Sequence, residues 1–117
     1  MSDSVIYSLS KSFALRIIKL YSYLCDKKKE YVMSKQIYRS GTSIGANIAE
    51  SIFAQSDADY VSKLRIALKE ASETRYWLEL LRESEYLKDE EFSSLSKDVN
   101  TIIGTTINII NKKTEKI

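Results

Sequence analysis

Apolar residues recur along this chain at helical spacing in four successive stretches. In the first, Ile6, Leu9, Phe13, Ile17, Leu20 and Leu24 are three or four positions apart, as residues sharing one face of an α-helix are. This predicts a helix from about Ser4 to Lys27, about 35 Å long at about 1.5 Å per residue. The lysines of Asp26-Lys27-Lys28-Lys29-Glu30 would face the negative end of its dipole, in a run that also suits an exposed connection. A second helix is expected from about Ser34 to Gln55, with Ser34 as N-cap and Met33 as a staple across the first turn. Ile37, Ile44, Ile48 and Ile52 supply its apolar face, while Gly41, Gly45 and Ala49 fall four apart and form a smooth stripe beside it.

The third helix starts at Ser56 or Asp57, with acidic residues in its first turn. Tyr60, Leu64, Ala67, Ala71, Thr74, Leu78 and Leu81 then step alternately by four and three, a heptad seam whose small central residues suit close helix pairing. Glu70, Glu73 and Glu79 alternate with Lys69, Arg75 and Arg82, predicting spaced ion pairs on the outer surface. After a break at Ser84–Lys88, Asp89, Glu90 and Glu91 open a fourth helix. Its seam is Phe92, Leu95, Val99, Ile102, Thr106 and Ile109, broadened by Ile103, Ile107 and Ile110. Lys112, Lys113 and Lys116 close it. Short links force neighbouring helices to run antiparallel, so the expected architecture is all-α: an up-and-down four-helix bundle forming one domain over residues 1–117.

Composition sharpens this picture. The chain has no proline, which otherwise supplies about 5% of residues and interrupts helices. Its longest apolar runs fall far short of the ~20 residues that span a bilayer, and Met1–Val5 lacks the basic start of a secretory signal. The absence of histidine removes Ser/His and Cys/His catalysis and the usual zinc ligand sets. The single Cys25 cannot form an intramolecular disulfide, so a cytoplasmic setting is expected. Net charge is only +2, but unevenly spread: residues 1–50 hold eight basic against four acidic side chains, residues 51–98 seven against eleven.

Three groups of residues invite chemistry. Ser40–Glu50 is rich in glycine and hydroxyls, yet Ala46 follows Gly45 where a phosphate-binding P-loop requires lysine. The four-residue spacing fits helix packing instead, and leaves open whether the partner helix belongs to the same chain or to another subunit. On the packing reading, leucine at Gly41 or Gly45 disrupts folding or assembly. Glu50, Glu70 and Glu73 lack the histidines of di-metal bundles, so ion pairs with Lys63, Lys69 or Arg75 are expected. The eight tyrosines and Trp77 fall mostly beside seam positions, where they serve core edges or subunit contacts. Lys11, Lys35, Arg39, Lys63 and the Lys27–Lys29 cluster are the candidates for phosphate contacts. No catalytic residue, cofactor, metal or small-molecule substrate is assigned.

The segment Ser34-Lys35-Gln36-Ile37-Tyr38-Arg39-Ser40-Gly41-Thr42-Ser43-Ile44-Gly45-Ala46-Asn47-Ile48-Ala49-Glu50 is followed by Asp59–Ala71 and Glu73–Leu78. Together they resemble the four-helix bundle proteins encoded in intervening sequences of large-subunit (23S) ribosomal RNA. The resemblance implies a homopentamer, and kinship with the accessory variability determinant proteins of diversity-generating retroelements, basic barrels that associate with a reverse transcriptase and nucleic acid. It implies no enzymatic activity. The expected partners are further copies of the chain and RNA or an RNA-bound protein. Five copies would carry only +10, five times the +2 of one chain, so the surface is not uniformly basic. A structural scaffold that binds no nucleic acid is the alternative.

Overall fold

The apolar periodicity closes into four helices in a computed structural model: α1 (Ser2–Asp26), α2 (Met33–Ser51), α3 (Asp57–Glu83) and α4 (Asp89–Lys116). The backbone is described for residues 2–116 and side chains for residues 5–115. Met1 and Ile117, the limits of the expected domain, and the side chain of Lys116 lie outside the described residues. Contacts join α1 to α2, α2 to α3, α3 to α4 and α4 back to α1, the closed square of an up-and-down bundle. The rod measures 47 × 21 × 20 Å.

The predicted seams form the core. Ile6, Phe13, Ile17, Leu20 and Leu24 of α1 are buried, as are Ile37, Ile44 and Ile48 of α2. Leu64, Ala67, Ala71, Thr74, Leu78 and Leu81 of α3 meet them with Leu95, Val99, Ile102 and Thr106 of α4. Burial of this kind is worth about 25 cal/mol per Å² of apolar surface and holds the helices far more strongly than their local propensities.

Local details depart from expectation at the helix ends. Ser34 is not the N-cap of α2; the helix starts one residue earlier, behind Val32, which makes no side-chain cap. Glu30 does that work from the preceding loop. Its carboxylate accepts the amides of Val32 (3.0 Å), Met33 (3.0 Å) and Ser34 (2.7 Å), while the Ser34 hydroxyl returns a bond to the Glu30 carbonyl. Burial pushes the Glu30 carboxyl up, but these donors outweigh it and hold the group below the usual carboxylate range.

Helix α2 also ends early, at Ser51, which places Ile52 in an exposed turn rather than on the apolar face. Helix α1 stops at Asp26, so Lys27–Lys29 directly follow its last turn, in the exposed connection. The α3 start holds: the Ser56 hydroxyl accepts the Asp59 amide at 3.1 Å, and Asp59 reciprocates to the Gln55 amide at 3.1 Å.

The end of α3 is a Schellman turn without glycine. The Tyr86 amide reaches the Leu81 carbonyl (2.9 Å) and the Glu85 amide the Arg82 carbonyl (3.0 Å). Glu85 takes the left-handed conformation that this turn requires, at φ 68°.

Candidate functional site

The glycine stripe is an intrachain packing surface. A Cβ added to Gly41 would lie 2.8 and 2.9 Å from Cγ1 and Cγ2 of Ile17 on α1, so glycine is what lets the two helices approach there. Gly45 lies over Ser10, where a Cβ would find only ordinary contact at 3.4 Å. Ala49, one turn further on, is half-buried. The packing reading therefore takes its partner for Gly41 and Gly45 from α1 of the same chain.

Across the other seam, α2 meets α3 through a polar network. The Arg39 guanidinium donates to Glu73 at 2.6 Å and to Glu70 at 3.2 Å. The Trp77 indole donates to the second Glu73 oxygen at 2.9 Å. The Trp77 and Arg39 donors hold the Glu73 carboxyl below its ordinary value, and Glu73 and Glu70 raise Arg39 further. Beneath them the buried hydroxyls of Ser40 and Thr74 meet at 2.9 Å. The expected ion pairs along α3 do not form among the described residues: Glu70 and Glu73 turn to α2, where one planar guanidinium serves both. Lys63 does pair with Glu50, at 3.3 Å.

Besides the Lys27–Lys29 cluster in the α1–α2 connection, the phosphate-contact candidates separate into two pairs. Arg39 and Lys63 are spent on α2–α3 ion pairs. Lys11 and Lys35 are exposed and form no ion pair among the described residues; the Lys11 ammonium stands 5.9 Å from the Tyr7 ring centre. Lys11 and Lys35 lie toward opposite ends of the rod, because Lys35 is on the first turns of α2 beside the end of α1.

Two features escaped the sequence reading. The first is an exposed stripe on α1, with Tyr7, Lys11, Leu15 and Ile18 recurring opposite the buried seam; Leu15 is 54% exposed. It borders α2 where the rings of Tyr21 and Tyr38 contact at 4.9 Å. Its spacing was legible, but the stronger core periodicity of the same helix masked it. The second is a cavity of about 460 Å³ between α1 and α4, lined by Arg16, Lys19, Leu20, Tyr23, Leu87, Lys88 and Glu91. Its α1 members share a helical face, but their opposition to residues 87–91 is a tertiary fact without a local signal.

Among the described residues no group of three or more His, Cys, Asp or Glu side chains is placed to hold a metal, and no helix is long and apolar enough to cross a membrane. Cys25 is free and half-buried, its Sγ 3.7 Å from the Ser34 hydroxyl.

Fold and surface together define a small antiparallel four-helix bundle whose most distinctive polar residues are committed to helix pairing. The chain belongs to the 23S rRNA-intervening sequence protein family, whose model matches residues 2–108. It is also similar to a solved structure from Bacteroides thetaiotaomicron VPI-5482, described as a protein of unknown function from the S23 ribosomal protein family. Identity is 54%, the alignment covers 95% of this chain and 99% of that one, and the TM-score is 0.94. No curated protein matches the chain.

Proposed function

We propose that this chain is a non-enzymatic assembly module that self-associates through the outer face of α1 and engages RNA or an RNA-bound partner in the cytoplasm. The apolar stripe of Tyr7, Leu15 and Ile18 carries the reading. An amphipathic helix in a monomer presents polar residues outward, whereas here Leu15 and Ile18 stand together on one turn of the outer face, with Tyr7 two turns before Leu15 and Lys11 between them. The homopentamer implied by the family resemblance is the expected assembly, and the connection lysines Lys27–Lys29 with Lys11 and Lys35 are the expected phosphate contacts.

Light scattering on the purified protein tests the assembly. Wild type is expected at a multiple of 13.4 kDa, and the double variant Leu15→Glu, Ile18→Glu at the mass of one chain with its helical spectrum intact. A wild-type monomer would overturn the assembly reading. Adding structured ribosomal RNA at low and then raised salt tests the second half: a complex that dissociates with salt supports it, and no complex at low salt defeats it. The commitment of Arg39 and Lys63 to intrachain pairs favours a second reading, a scaffold that assembles but leaves RNA unbound.

A further inference from the structure

The 460 Å³ cavity lies between the second half of α1 and residues 87–91, the end of the α3–α4 connection and the first turn of α4. Small-molecule sites typically have volumes of about 300–1,000 Å³. The floor is aliphatic, made by the buried Leu20 and Leu87, and the Tyr23 ring stands at the edge, 39% exposed.

The polar part of the wall is lopsided. Arg16 is already committed: its guanidinium holds Asp98 at 2.7 Å and Glu91 at 3.5 Å, and donates to Ser94 at 3.0 Å. Glu91, the one carboxylate among the lining residues, makes the longest of these contacts and stays largely exposed. Lys19 and Lys88 are exposed and have no carboxylate within ion-pair distance among the described residues. An apolar floor, a phenol ring and two unpaired ammonium groups therefore share one cavity.

This chemistry selects its ligand. A cation would meet an excess of positive charge, and a neutral apolar molecule would cover the floor without using either exposed ammonium group. A compact anion alone would use the lysines and leave the leucines and the ring uncovered. The wall is complementary to a flat apolar ring system carrying a phosphate. We infer that the α1–α4 cavity is a nucleotide site, with the base lying on Leu20, Leu87 and Tyr23 and the phosphate held between Lys19 and Lys88. The site goes beyond the adaptor reading, since it requires neither self-association nor the contacts at Lys11 and Lys35. Its occupant is a nucleoside monophosphate, either free or as the exposed unit of a strand.

Equilibrium dialysis of the full chain at low salt tests it, using adenosine 5′-monophosphate, inorganic phosphate and a ten-residue oligoadenylate as probes. The variants are Lys19→Glu, Lys88→Glu and Tyr23→Ala, with Lys35→Glu as the control; all four positions are exposed, and circular dichroism verifies folding. Binding of the mononucleotide is expected, weakened about tenfold or more by Tyr23→Ala, the scale of one lost base stack. Each of the two lysine reversals should weaken it comparably, and Lys35→Glu should leave it unchanged.

Oligoadenylate binding with the same variant pattern, without mononucleotide binding, would support the site and identify a strand as its source. Inorganic phosphate competing as well as the mononucleotide would overturn base recognition. Oligoadenylate binding that is sensitive to Lys35→Glu and indifferent to Lys19→Glu and Tyr23→Ala would overturn the site and leave the RNA-engaging reading standing. Failure of every probe, with ribosomal RNA still bound, would have the same meaning; failure of the RNA as well would remove both.

Discussion

Replacing Gly41 by alanine sets two opposed effects against each other. Helix propensity favours alanine over an interior glycine by about 1 kcal/mol. At Gly41, however, the new methyl would stand 2.8 and 2.9 Å from two carbons of Ile17, whose side chain is fully buried. Those carbons are on a β-branched residue with little rotamer freedom, so relief requires a shift of α1 against α2. Overpacking of this kind costs about 1–3 kcal/mol. Steric cost therefore exceeds the propensity gain, and Gly41→Ala is expected to destabilise by up to about 2 kcal/mol.

The two other glycines calibrate the argument. Gly45→Ala brings a methyl to ordinary contact at 3.4 Å, and Gly104→Ala meets nothing within 4 Å on an exposed face. Gly104→Ala should therefore gain the full propensity term of about 1 kcal/mol, and Gly45→Ala part of it. Urea unfolding at one fixed protein concentration measures all three, since any self-association makes stability depend on concentration. If Gly41→Ala is as stabilising as Gly104→Ala, close approach at Gly41 is not what the glycine provides.

Glu85→Gly should stabilise by about 0.5–1 kcal/mol, because the left-handed turn after α3 penalises any residue with a Cβ; a thermal scan showing no gain would contradict the strain at φ 68°. Glu30→Gln should lower the melting temperature at neutral pH. Because the folded Glu30 carboxyl is held below its ordinary value, its stabilisation is fully present above the usual carboxylate range and is lost as pH falls through the folded value. The gap between wild type and variant should therefore narrow on acidification from about pH 5 downward, in thermal scans against pH. Ser56→Ala removes the acceptor for the Asp59 amide and should cost about 1 kcal/mol in urea unfolding. Arg39→Ala should cost about 1 kcal/mol, shrinking as salt is added because Arg39 is half-exposed, and should shift the emission of Trp77 through their shared Glu73.

Most of the bundle was legible because its seams are long and uninterrupted: Ile6 to Leu24 and Leu64 to Leu81 point inward at nearly every step. Helix ends were less so. The cap of α2 comes from Glu30, a residue type with no N-cap signature, acting across a loop whose backbone conformation cannot be read locally. The turn after α3 uses Glu85 where glycine is the usual sign, so its left-handed residue left no mark in the composition. Ion pairing misled for another reason. Spacing along α3 identifies neighbours on that helix, but Glu70 and Glu73 found a better geometry with a guanidinium across the seam.

The segment that carries the family resemblance is largely spent on holding the bundle together. Ile37, Ile44 and Ile48 fill the core, Gly41 admits α1, Ser40 bonds Thr74, and Arg39 and Glu50 tie α2 to α3. Residues engaged this fully within the chain explain why the fold is specified so clearly, and leave little free for a partner. The exposed apolar residues Leu15 and Ile18 and the lysines Lys19 and Lys88, which form no ion pair among the described residues, lie outside that segment, on α1 and beside the α1–α4 cavity. The signature thus identifies the scaffold, while Leu15, Ile18, Lys19 and Lys88, on which the proposed assembly and nucleotide site rest, are exposed residues that the scaffold does not require for its core.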